Sequence, residues 1–121
     1  MRLVTTAEPI VAALKNAETV IFDTETSSLH PWRDGKILAG LGIKPLGGES
    51  YYIPFRHKNG GRQAKLSELP AIGEAMRGKK LVAHNVLFDL AVLWQDGVDL
   101  VDEDVVVTVV LIRLVSEAEP S

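Results

Sequence analysis

An unbroken apolar run, Val20-Ile21-Phe22, leads straight into two acids one residue apart, Asp23 and Glu25. Three consecutive apolar side chains leave a strand no solvated face. Residues 18–25, ETVIFDTE, therefore read as a central strand covered on both sides. Successive strand side chains alternate faces, so Asp23 and Glu25 point one way and Thr24 the other. The two acidic Cα atoms would lie roughly 6.5 Å apart, with the longer Glu arm able to lean toward Asp23. Carboxylates converging at a poorly solvated strand end repel each other unless something neutralises them.

The segments around this strand define the rest of the architecture. Glu8 and Pro9 stand where a first helical turn favours them, which predicts a helix over residues 7–17. SSLHPWRDG reads as a turn, KILAGLGI as a second strand, and SYYIPF as a third after PLGGE. Short links make these three strands an antiparallel meander. RHKNGGRQAK is a loop with four Lys or Arg, and Ser67 is placed to cap a helix, ELPAIGEAMRG, ended by Gly78. KKLVAHN is a fourth strand and VLFDLAVLWQDG an amphipathic helix closed by Gly97. The order β-β-β-α-β-α predicts an α/β domain, a mixed sheet with helices packed on it. The last stretch, DEDVVVTVVLIRLVSEAEPS, favours strand on propensity and fits equally a strand passing into a helix.

Composition bounds what such a domain can do. At 121 residues the chain supplies one domain at most, and 46% apolar with 24% charged residues is ordinary for a soluble globular chain. A net charge of −3 gives no bulk attraction to nucleic acid, though a bound metal or a local basic patch can supply it. The absence of cysteine excludes disulfides, zinc-thiolate centres and thiol catalysis. The N-terminus lacks the apolar core of a signal peptide, and Val105–Ile112 is too short to span a bilayer. A cytoplasmic protein with no membrane partner is the expectation.

A third acid completes a chemical pattern. Asn85 and Asp89 stand four apart, on one face of the helix that follows the fourth strand. If the fourth strand lies beside the first, Asp89 meets Asp23 and Glu25 in one small volume. Hard divalent cations such as Mg²⁺ prefer carboxylate and water oxygens, at about 2.0–2.1 Å for Mg²⁺. Two ions about 3.5–4 Å apart can clamp the attacking and leaving oxygens of a phosphodiester. Each element also has a plainer reading. Asp-x-Glu at a strand end is common by chance, and Asn85 with Asp89 could be a cap and a dipole partner. RHKNGGRQAK reads more simply as a solvated loop. His30, His57 and His84 show no zinc-ligand spacing and read as structural or surface residues. The acids in this order, on these elements, carry more information than any one of them.

FDTETSSL followed by AHNVLFDLAVL resembles the first two motifs of the proofreading-type 3′–5′ exonucleases, the DEDD superfamily with a ribonuclease H-like fold. The match is closest to the exonuclease domain of family A DNA polymerases, of the DNA polymerase I type. The resemblance implies removal of nucleotides from a single-stranded DNA 3′ end by a mechanism using two Mg²⁺ or Mn²⁺ ions. It implies that Asp23, Glu25 and Asp89 are the catalytic metal ligands. It also implies that Thr24, Thr26, Leu29, Asn85 and Phe88 contact the substrate, with Leu29 wedged against the terminal base. An amide suits sugar or phosphate and an aromatic suits a base, while Leu29 and Phe88 could equally serve as packing residues.

The family also has a third motif, Tyr-x-x-x-Asp or His-x-x-x-x-Asp, whose ring orients the attacking water. The sequence has no Tyr after Tyr52 and no His after His84. Where the family commonly has Asp-Thr, it has Val107-Thr108. The resemblance therefore identifies residues 1–121 as the N-terminal two-thirds of an exonuclease domain, with a polymerase domain expected in cis beyond it. Two alternatives stand beside this reading: a catalytically inert nucleic-acid-binding or interaction module of the same fold, and an RNA-trimming member of the same superfamily.

Overall fold

The computed structural model describes residues 1–57 and 61–100, together with the backbone of Val105 and Val106. Its centre is a six-stranded sheet in the order β1-β4-β3-β2-β5-β6. The strands are β1 (Arg2–Leu3), β2 (Thr19–Thr26), β3 (Leu38–Pro45), β4 (Tyr51–Pro54), β5 (Lys80–Ala83) and β6 (Val105–Val106). The helices are α1 (Glu8–Leu14), α2 (Pro31–Asp34), α3 (Leu69–Met76) and α4 (Val86–Gln95). β2, β3 and β4 form the expected antiparallel meander, and β5 lies parallel to β2 on its other side. The strand with the unbroken apolar run is thus central in the sheet.

Only one of its faces is deeply covered among the described residues. Val20, Phe22 and Thr24 are buried, Ile21 is half-buried, and Asp23 and Glu25 are exposed. Below the buried face, Leu41, Ile53, Ile10, Leu14, Ile72 and Leu81 form a single core in which each is almost fully enclosed. Each such side chain contributes roughly 1.5–3 kcal/mol relative to exposure. That burial, not local propensity, holds the short helices in place.

Several boundaries differ from those the sequence suggests. β1, absent from the expected order, is a two-residue parallel pairing with β4, too short to show periodicity. The turn after β2 contains α2, one turn of helix started by Pro31. Ser67 does not cap α3. It lies inside a 3-10 turn, Leu66–Glu68, and the helix begins at Leu69 with Pro70 in its first turn. α1 also lacks a side-chain cap of its own, but the Ala7 N–H donates to Glu68 Oε1 at 2.8 Å, so an acid from a distant turn satisfies it. The final stretch contributes β6, parallel to β5. Its continuation over 107–121 lies outside the described residues.

α4 closes as expected at Gly97. The Gly97 N–H donates to Trp94 O at 3.0 Å and the Val98 N–H to Leu93 O at 3.0 Å, which requires φ of +89° at residue 97. A Cβ there would meet nothing within 4 Å, so a side chain suffers only from the backbone conformation. Gly97→Ala should therefore cost about 1 kcal/mol in urea unfolding, with no change in the core. An unchanged midpoint would show that this turn does not need glycine.

Candidate active site at the end of the central strand

Where β5 stops pairing at Ala83, β2 runs on, and its last residues have a strand on one side only. α4 begins three residues past Ala83 and supplies what β5 no longer does. Asp89 sits in its first turn, and only 1% of it is exposed. Its Oδ1 accepts the Thr24 hydroxyl at 2.5 Å and, more weakly, the Thr24 backbone N–H at 3.4 Å. The carboxylate thus occupies the edge of β2 in place of a neighbouring strand. Its other oxygen, Oδ2, is buried without a hydrogen-bond partner among the described residues.

Burial is the main cause pushing the Asp89 carboxyl above its ordinary range, and the like charge of Asp23 adds to it. The Thr24 hydroxyl and, more weakly, the backbone N–H groups of Thr24 and Asn85 pull the other way. Asp89 and Asp23 are thus in electrostatic reach of each other, as the parallel placement of β5 beside β2 requires.

Glu25 is engaged elsewhere. Its Oε2 accepts the Tyr52 hydroxyl at 2.7 Å and stands 3.5 Å from His57 Nε2. Tyr52 also touches His57 Nε2, and the two rings meet edge-on at 5.6 Å. Burial above all, then the bond to Glu25, drives the Tyr52 phenol well above its ordinary value, so it stays a donor. Neither Tyr52 nor His57 is marked by the motifs in the sequence, and His57 reads there as a structural or surface residue. The signal that could have found Tyr52 is the alternation Gly40-Leu41-Gly42-Ile43, which clears one face of β3 of side chains beside the acids.

The expected pocket of three carboxylates is not assembled. Among the described residues, no three of His, Asp and Glu stand close enough to hold one ion together. The reason is physical. Thr24 points to the buried face and holds one oxygen of Asp89 there, Tyr52 holds one oxygen of Glu25, and mutual repulsion favours separation of the carboxylates. Asp23 and Asp89 still fit a hard divalent cation: two oxygen-donor acids near enough for the charge of one to act on the other, one with a buried oxygen lacking a hydrogen-bond partner among the described residues.

The residues expected to meet substrate divide into three groups. Thr24 is buried, and its side chain holds Asp89. Thr26 turns its hydroxyl to Ser28 O at 2.7 Å, and Asn85 is the exposed residue preceding α4. Leu29, 78% exposed, and half-buried Phe88 share an apolar groove of about 740 Å³ with Trp32, Leu87 and Trp94, between α2 and α4. Behind the site, Arg56 grips Asp96 with both terminal guanidinium nitrogens, at 2.7 and 3.0 Å.

A family model for the 3′–5′ exonuclease of the DNA polymerase A type matches residues 4–116. No curated relative matches the chain. Among solved structures, Brucella melitensis NrnC with bound Mg²⁺ is 23% identical with a TM-score of 0.59, covering 99% of this chain and 53% of that one. NrnC bound to pGG is 22% identical with a TM-score of 0.62, covering 99% and 52%. The Aedes aegypti Nibbler EXO domain is 12% identical with a TM-score of 0.61, covering 95% and 56%. The chain thus spans about half the length of these structures, and at such identities the likeness speaks for the fold. That fold is the α/β, ribonuclease H-like sheet of the DEDD exonucleases. Matched by the family model over nearly its whole length, the chain belongs to the 3′–5′ exonuclease family.

Proposed function

We propose that the chain forms the metal-binding half of an exonuclease that removes nucleotides from single-stranded 3′ ends, with Asp23, Glu25 and Asp89 as its metal ligands. The observation that carries this reading is the buried, unpartnered Oδ2 of Asp89 beside Asp23. A buried anionic oxygen with no donor is costly in isolation and becomes an asset when a cation arrives. Mg²⁺ or Mn²⁺ ions, when bound, would lower the pKa of an attacking water and neutralise charge on the scissile phosphodiester. The protein's own part is to hold the acids. Thr24 fixes Asp89 through Oδ1 and leaves Oδ2 for the ion, while Tyr52 holds Glu25 through Oε2. Leu29 and Phe88, which line the apolar groove, present surfaces against which a terminal base can pack.

The polymerase-type family favours DNA as substrate, with proofreading beside a polymerase domain as the setting. The similarity to NrnC, which has been seen bound to pGG, supports the second reading, a trimmer of short oligonucleotides. One assay separates them. The chain is incubated with Mg²⁺ and either a labelled single-stranded DNA or pGG, and the products are resolved over time. Stepwise shortening of the DNA from its 3′ end supports the first reading, and faster conversion of pGG supports the second. No Mg²⁺-dependent product from either substrate leaves an inert binding module of the same fold.

A further inference from the structure

We infer that Tyr52 is the positioning residue for Glu25, held in reach of it by a side-chain-free slot at Gly40, and that this contact sets the affinity of the site for divalent cations. The assignment rests on the metal reading above and adds residues to it that lie outside the acidic motifs.

The geometry is unusual for a sheet. Tyr52 belongs to β4 and Glu25 to β2, with the whole of β3 between them. Tyr52 pairs with Gly42, and Glu25 with Gly40. To reach the carboxylate, the phenol must therefore cross β3 on a diagonal. It passes directly above Gly40, where a Cβ would overlap the Tyr52 hydroxyl oxygen and Cζ. Any other residue at position 40 would displace the ring. Gly42, on the same face of the same strand, is different, since a Cβ there would meet only Asp23 O, at an ordinary 3.7 Å.

The anchor is itself anchored. The His57 ring packs edge-on against Tyr52 and faces the same carboxylate oxygen. Its main chain is clamped by Gln63, which accepts the His57 N–H at 2.5 Å and donates to His57 O at 3.1 Å. Tyr52 and His57 both converge on Glu25 Oε2, and no donor among the described residues engages Oε1. An exposed glutamate with free rotamers must lose that freedom to bind an ion. Tyr52 removes part of that cost in advance, as groups behind a metal ligand commonly do.

The test is Mn²⁺ titration of the protein without nucleic acid, following free Mn²⁺ by electron paramagnetic resonance. The parent, Y52F, G40A and G42A are compared, with thermal unfolding of each in the absence of metal. Y52F and G40A are expected to bind about 10–100-fold more weakly, while G42A binds like the parent. In an E25Q background, adding Y52F should weaken binding no further, because its effect runs through Glu25. Should G40A fail to fold, Y52F decides alone, since it leaves the ring in its slot. Parent-like or tighter binding by Y52F, or an undiminished effect in E25Q, overturns the assignment while leaving the metal reading intact. A parent that takes up no Mn²⁺ overturns the metal reading, and this assignment with it.

Discussion

Asp89→Asn should make the protein more stable and nearly inactive at once. The buried carboxylate carries an oxygen with no donor among the described residues, and burial disfavours its charge. An amide of the same shape keeps the bonds from Thr24 through its carbonyl and exchanges the buried charge for a neutral NH2, which costs less to bury than an ion. Relief of one unsatisfied buried ionised group is worth about 1–3 kcal/mol. For a domain of this size that is a rise in Tm of roughly 4 °C or more. The sign of the pH dependence follows from the raised pKa. A carboxyl that binds its proton more tightly when folded destabilises the fold only while ionised, so the penalty is complete above its folded pKa. The advantage of the Asp89→Asn variant over the parent, measured in EDTA, should be full at neutral pH. It should shrink as the pH falls toward the ordinary carboxylate range near 3.9. Nuclease activity should fall by on the order of 10²-fold or more, as when a group stabilising transition-state charge is removed. A variant that is less stable than the parent at neutral pH would mean that Asp89 has a partner that makes its charge welcome.

Arg56→Ala should be the most damaging single change outside the core. Arg56 follows β4 and makes a two-pronged ion pair with Asp96, the residue that ends α4, and also donates to Leu38 O at 3.1 Å. One side chain therefore ties together the ends of β4 and α4 and the start of β3. Asp96 has a side chain only 4% exposed, whereas Arg56 is 30% exposed. Truncating the arginine leaves the carboxylate buried and unpaired, at a cost of about 3 kcal/mol. Arg56→Lys keeps the charge but not the fork, and should recover only part of the loss. Replacing both partners with apolar residues should be much milder than either single truncation, because the pair's worth lies mostly in not leaving one half alone. Urea unfolding of the parent and these variants checks this, and an Arg56→Ala loss below about 0.5 kcal/mol, the range of an exposed pair, would contradict it.

Both predictions concern side chains whose roles differ in how visible they are in the sequence. Asp89 announces itself, since an acid in the first turn of a helix after a strand points at a neighbouring strand end, and the parallel β5 puts it there. The meander, the helix closed at Gly97 and the central place of β2 are equally legible, because apolar periodicity and turn glycines are local signals. What the sequence leaves out is everything decided across the sheet. RHKNGGRQAK reads as a solvated loop, yet its first two residues bind Asp96 and flank Glu25, partners far away along the chain. Thr24 reads as a residue facing away from the acids, and so it does, but it takes hold of Asp89. A count of charges likewise omits the hydroxyls of Thr24 and Tyr52, which orient Asp89 and Glu25. Ser67, a good cap by type, loses its place to a 3-10 turn that sends Glu68 to α1 instead.

Calorimetric titration of Mn²⁺ into the parent and into Asp23→Ala, with no substrate present, tests most directly whether the end of β2 is a cation site. Asp23 is exposed and lies outside the apolar core, so the variant should fold as the parent does. The parent should take up Mn²⁺, and Asp23→Ala should give no binding signal at the same concentrations. Equal affinity in the two proteins would contradict the claim that Asp23 and Asp89 share an ion.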